Sequence, residues 1–173
     1  MNAASTPDPN DVSTLDLVVF REVLATFPAG VVVVTAMGDD GRPYGLTISA
    51  FCSVSADPTL VLVCVDQGSN TLPAIRASRA FTVNILQAGR QELALQFASK
   101  RDDKFDGVEW EAPAVPRGGP ILGADAASYL VCKIDQEIMA GDHQIFIGEA
   151  IAAGIQEGHP PLLYHNRGFA SLA

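Results

Sequence analysis

Residues 45 to 65 read GLTISAFCSVSADPTLVLVCV, a run that commits this chain to β-structure. Side chains on a strand point alternately to opposite faces. Thr47, Ser49, Phe51, Ser53 and Ser55 are therefore expected on one face, and Ile48, Ala50, Cys52 and Val54 on the other. After an Asp57-Pro58 turn, residues 60 to 65 form a continuous apolar run, the pattern of a strand covered on both sides. No charged residue interrupts positions 45 to 56. The hydroxylated face suits a half-wet antiparallel strand, and equally a neutral hydrogen-bonding wall for a flat polar ligand.

The rest of the composition narrows what such a strand pair can belong to. With 173 residues, 48% hydrophobic and 18% charged, the chain is long and apolar enough for one globular domain, expected over residues 13–173 behind a flexible tail at 1–12. A formal charge of -9 argues against nucleic acid and anionic membrane surfaces as partners. No segment approaches the roughly 20 apolar residues of a membrane span, and the polar start MNAASTPDPND lacks the basic and apolar regions of a secretory signal, so a cytoplasmic protein is expected. Cys52, Cys64 and Cys132 are odd in number and sit in apolar strand patterns, as reduced core residues do.

Taken in order, Ser13 and Asp16 have capping-box spacing, and Phe20, Val23, Leu24 and Phe27 recur at helical intervals. The spacing predicts a helix laying one stripe on the core until Pro28 and Gly30 end it. Residues 31–35 predict a strand, GDDG at 38–41 a turn, and residues 43–51 the returning strand. Ser69, Asn70 or Thr71 can cap a short helix, whose free amides would favour an anion. Residues 81–86, FTVNIL, predict a strand carrying Asn84, and residues 90–99 a helix followed by the basic cluster of Lys100, Arg101 and Lys104. Residues 111–124 read as loop. Strands are expected at 129–139 and 144–152 around the turn at Gly141, Asp142 and His143, with a final hairpin turning near Asn166 and Gly168. Six or more strands with short turns and few helices predict a mainly β protein whose antiparallel sheet closes into a barrel.

Familiar catalytic signatures are missing: there is no GxSxG, HExxH, CxxC, Walker loop or GxGxxG, and His143, His159 and His165 lack metal-ligand spacing. No metal site is expected. Hydroxyls, an amide, a helix start and a basic cluster suit the holding of a cofactor that performs the chemistry itself.

The order and spacing of FPAGVVVVTA at 27–36, GLTISAFCSVSADP at 45–58, SNTLPAI at 69–75, FTVNIL at 81–86, FASKRDDKFDGVEW at 97–110, GDH at 141–143 and PLLYHNRGF at 161–169 resemble the short-chain flavin reductase family. One departure is Thr59, where that family usually has a second proline. The resemblance implies an FMN-binding split barrel and the role of reductase component of a two-component flavin monooxygenase. It implies that Thr47, Ser49, Ala50 and Phe51 line the flavin, with Ser53 and Ser55 close by. By the same resemblance Ser69, Asn70 and Thr71 approach the phosphate, Asn84 faces the flavin, and Ser99, Lys100 and Lys104 supply phosphate contacts. Nicotinamide binding is implied near His143, the catalytic candidate cast as a positioner, and near Arg167. The cofactors so implied are FMN or FAD with NADH or NADPH, and the partners a second copy of the chain in a homodimer and a monooxygenase fed by diffusing reduced flavin. Two rivals stand beside this reading: a flavin-binding electron-transfer or sensing protein without nicotinamide activity, and an enzyme like pyridoxamine phosphate oxidase.

Overall fold

The computed structural model describes residues 15–115 and 117–172. Its elements run α1 (Leu17–Ala25), β1 (Ala29–Gly30), β2 (Val32–Met37), β3 (Pro43–Ile48), β4 (Phe51–Ala56), β5 (Thr59–Asp66), α2 (Leu72–Ser78), β6 (Ala80–Leu86), α3 (Gln91–Ala98), β7 (Ala126–Ala140), β8 (His143–Ile155), β9 (Leu162–His165) and β10 (Gly168–Ser171). The β-branched run at β2 is buried on both faces. Val32, Val34 and Ala36 join the main core with Leu46, Val63, Phe81 and Phe146. Val31 and Val33 pack on the other side with Leu86, Ala94, Phe97, Leu122 and Leu162.

Seven antiparallel strands form one sheet in the order β3-β2-β6-β7-β8-β5-β4. Leu46 of β3 and Val61 and Val63 of β5 lie near opposite ends of that order yet share one core cluster, so the sheet rolls around it as a barrel. The roll is not closed by hydrogen bonds. Its ends, β3 and β4, are consecutive in sequence and joined only through Ser49 and Ala50, which leaves a seam between them. The hairpin β9-β10 pairs with β1 as a small second sheet.

Four sequence expectations change here. The strand expected at 43–51 ends at Ile48, so the alternation proposed from Thr47 to Ser55 is interrupted, and a bulge between Ser53 and Ser55 breaks it again. On β5, Val61, Val63 and Val65 are buried while Leu60, Leu62 and Cys64 on the other face are half-buried. Cys132 is a core residue, but Cys64 is half-buried and Cys52 exposed. Helix α1 buries none of its residues; nothing among the described residues covers its apolar stripe. The expected tail at 1–12 and the Ser13 half of the capping box lie outside the described residues; Asp16 is the N-cap, accepting a hydrogen bond from the Val18 amide at 2.7 Å. Among the described residues no helix is long and apolar enough to cross a membrane.

Candidate functional site

A cleft lies between β3 with its Ser49–Ala50 link, β5, α3 and the terminal hairpin. Its first hollow, about 410 Å³, has Thr47, Ser49 and Ala50 on the seam side, Cys64 and Asp66 from β5, His143 from β8, Ala94 and Ala98 from α3, and Tyr164 and Phe169 from the terminal hairpin. A second hollow of about 440 Å³ continues from it, sharing Leu46, Thr47, Asp66 and Ala98, and adds Ser69, Asn70, Ser99, Lys100 and Lys104. Both volumes fall within the range of small-molecule sites. The first hollow is mainly apolar with hydroxyls on one wall, whereas the second gathers amide, hydroxyl and ammonium groups together with the carboxylates of Asp66 and Asp102.

Local chemistry fixes this arrangement. Gly45 permits β3 to lie against α3, since a Cβ there would meet the Phe97 ring at 2.7 Å. The Thr47 hydroxyl donates to the Ala94 carbonyl at 2.7 Å, fastening the same two elements. Lys104, only 6% exposed, donates from Nζ to the carbonyls of Gly45 and Phe97, each at 3.1 Å. Burial lowers the Lys104 pKa, with the Asp102 carboxylate opposing that shift. Arg101 is held by Asp103 through two 2.7 Å bonds. Lys100 is the remaining cation of this segment and is exposed at the rim of the second hollow.

Across the cleft, Asp66 and His143 stand opposite each other in the β5-β8 ladder. The Gln67 amide donates to the Asp142 carbonyl at 3.0 Å, joining the turn after β5 to the turn before β8. Beneath His143, buried Gln144 accepts at Oε1 from Gln67 Nε2 and from Arg76. Asp142 Oδ1 lies 2.7 Å from His143 Nδ1, and that hydrogen bond is the main reason the Asp142 carboxyl is held below its ordinary pKa. An ionised carboxylate can only accept, so Nδ1 carries the proton and Nε2 is the ring nitrogen left for a ligand.

The sequence matches the family model described as the flavin reductase like domain over residues 24–173. It is 41% identical over 152 residues to the flavin reductase (NADH) of Kitasatospora aureofaciens, covering 87% of this chain and 79% of that protein. It is likewise 41% identical over 158 residues to the reductase component of the 4-nitrophenol 4-monooxygenase/4-nitrocatechol 2-monooxygenase of Rhodococcus opacus, covering 91% and 83%. Among solved structures, the NADH:FAD oxidoreductase of Streptomyces globisporus C-1027 in complex with NAD and FAD fragments superposes with a TM-score of 0.84 at 35% identity, covering 98% of each chain. The chain belongs to the flavin reductase-like family.

The cleft of this flavin reductase-like protein brings together Thr47, Ser49, Ala50 and His143 in the first hollow, and Ser69, Asn70, Ser99, Lys100 and Lys104 in the second. Other sequence candidates lie outside the residues lining it. Phe51 turns against the main core. Ser53 is exposed on β4, and Ser55 Oγ accepts from the Asp57 amide. Thr71 is buried, with its hydroxyl lacking a hydrogen-bond partner, and makes no side-chain cap to α2. Ser69 instead accepts from the Thr71 amide at 3.2 Å. Asn84 is fully buried, donating to the carbonyls of Val33 and Pro120 and accepting from the Leu122 amide, so it pins the loop before β7 to the barrel. Arg167 sits in the β9-β10 turn with φ 60°, beside Glu22 and Ala25. From that hairpin Tyr164 and Phe169 line the cleft instead, their rings 5.5 Å apart. Sequence reasoning missed them along with Cys64 and Asp66; the one local signal was the charge of Asp66 ending an apolar strand.

Proposed function

We propose that this protein is an NAD(P)H:flavin oxidoreductase that reduces FMN or FAD and supplies the reduced flavin to a partner monooxygenase. The observation that carries the reading is the junction of the two hollows, an apolar chamber with a hydroxyl wall running into a chamber where Ser69, Asn70, Ser99 and Lys100 supply donors beside the carboxylates of Asp66 and Asp102. That donor set suits a ring system joined to an anionic tail. When bound, a flavin supplies the acceptor for a nicotinamide hydride, a transfer that needs contact and alignment more than an acid or base. On this reading Ser49 and Ala50 bound the ring, Lys100 and Ser99 attract the phosphate, and Tyr164 and Phe169 exclude water from the opposite side. His143, oriented by Asp142, offers Nε2 to hold the nicotinamide carboxamide. The similarity to proteins named as NADH-dependent flavin reductases and as a monooxygenase reductase component supports the same assignment.

A homodimer belongs to this proposal. The apolar residues of α1 are largely solvent-exposed, Phe20 at 45%, Val23 at 62% and Leu24 at 56%, and a second copy would cover them. Cytoplasmic residence is also inferred, since three free cysteines suit a reducing compartment.

The deciding experiment is steady-state oxidation of NADH and NADPH with and without added FMN, FAD and riboflavin. Turnover that depends on free flavin is expected. Tight flavin retention without nicotinamide turnover would instead identify an electron carrier, and oxygen-dependent amine oxidation would identify the oxidase.

A further inference from the structure

Asp66 stands where the two hollows meet. It is among the residues lining both, and it is the only carboxylate of the first, which no lysine or arginine lines among the described residues. Cys64 and Asp66 lie two apart on β5 and so share the face that Cys64 turns toward the cleft. Asp66 is exposed at the end of that strand, and its Oδ1 accepts from the Gly68 amide at 2.6 Å, which orients the carboxylate. Among the described residues it makes no salt bridge. Lys100 borders the second hollow alone, and the Lys104 ammonium is taken up by the carbonyls of Gly45 and Phe97.

A carboxylate in that position weakens the hold on any anion, so attraction for a phosphate does not account for it. The two oxidation states of a flavin ring, however, differ in charge. The oxidised ring is neutral; adding a hydride makes an anion whose charge resides at N1 until a proton is taken up. N1 adjoins N10, the atom that carries the ribityl tail, so a ring in the first hollow with its tail in the second has that end at the junction. We propose that the Asp66 carboxylate repels the anionic reduced flavin and spares the neutral oxidised ring, which makes Asp66 the residue that selects between oxidation states: oxidised flavin is taken up and reduced flavin is let go. This rests on the flavin site proposed above.

Anaerobic calorimetric titration of the full chain at mildly alkaline pH, with oxidised FMN and with dithionite-reduced FMN, tests it, because the phosphate is common to both and cancels in the ratio of the two dissociation constants. Asp66→Asn keeps the acceptor for the Gly68 amide and removes the charge. It is expected to tighten reduced FMN about fivefold relative to oxidised FMN, the size of one charge–charge contact in water, and so to raise the potential of the bound flavin by about 20 mV. Asp66→Glu, which keeps the charge, should hold the wild-type ratio, and Asp102→Asn, whose charge borders only the second hollow, should shift both states alike. Equal tightening of both states in Asp66→Asn would confine the carboxylate to the phosphate, and equal weakening would make it an acceptor for the ribityl hydroxyls; either result overturns the proposal, as does a ratio lost equally in Asp66→Glu. These outcomes leave the flavin site standing. If the wild type binds neither state, the flavin site itself is wrong and this assignment falls with it.

Discussion

Asp142 Oδ1 and His143 Nδ1 lie 2.7 Å apart at the mouth of the cleft, so the imidazole is oriented from outside before any ligand arrives. His143→Ala is expected to raise KM for NADH about tenfold, the value of one well-aligned hydrogen bond, with kcat and flavin affinity little changed. Asp142→Asn should do less. Because the folded-state pKa of Asp142 is lowered, its contribution is complete above the unfolded value of 3.8 and is lost only as the pH falls through the lower folded value. Initial-rate kinetics between pH 6 and 8 should therefore show no inflection from Asp142; an unchanged KM in His143→Ala would remove His143 from the nicotinamide site.

The two lysines that flank the anion chamber should separate by ligand. Lys100→Ala is expected to weaken FMN about tenfold while sparing riboflavin, which lacks the phosphate. Lys104 instead ties Gly45 to Phe97, so Lys104→Met should weaken both ligands and lower stability by about 2 kcal/mol through two unpaired buried carbonyls. Titrations and urea unfolding of both variants distinguish these roles.

Asn84 satisfies three main-chain groups from inside the protein. Asn84→Ala is expected to cost about 3 kcal/mol, since each orphaned buried group carries its own desolvation penalty. Urea denaturation measures it. A stability within 0.5 kcal/mol of wild type, roughly the size of a surface change, would contradict the role.

The cysteines should report the cleft. Cys52 is exposed, Cys64 lines the first hollow with its pKa raised by burial, and Cys132 is buried with its pKa pushed up to about 12. A thiol reagent is expected to modify Cys52 rapidly, Cys64 slowly, and Cys132 only after unfolding. Adding FMN should slow the Cys64 phase and leave Cys52 unaffected, a difference that peptide mapping over time resolves.

If α1 forms the proposed two-fold contact, the wild type should sediment at twice the 18.2 kDa chain mass, and Leu24→Glu should sediment as a monomer with its melting transition retained. A monomeric wild type would remove α1 from consideration.

Much of the fold was legible because β-structure writes itself with period two. The β2 run, the GDDG turn and the hairpins around residues 141–143 and 166–168 all occur as their patterns imply. The break at Ser49 and Ala50 was not legible, because alternation continues through it in residue type while the backbone changes sheet edge. The site divided along the same line. Thr47, Ser49, Ser69 and Lys100 reach the cleft from segments whose motifs were readable, while Asn84 was misjudged because an amide on a strand carries no mark of which loop it will fasten. Tyr164 and Phe169 enter through the folding of the terminal hairpin over β1 and α3, which no local pattern encodes.

The Thr47–Ala94 bond has a consequence for how the cleft keeps its width. It joins β3 to α3, and both residues line the first hollow, so two of its walls are tied to each other before anything enters. Thr47→Val, which removes the donor and keeps the shape of the side chain, would let those walls part while leaving the other lining groups in place.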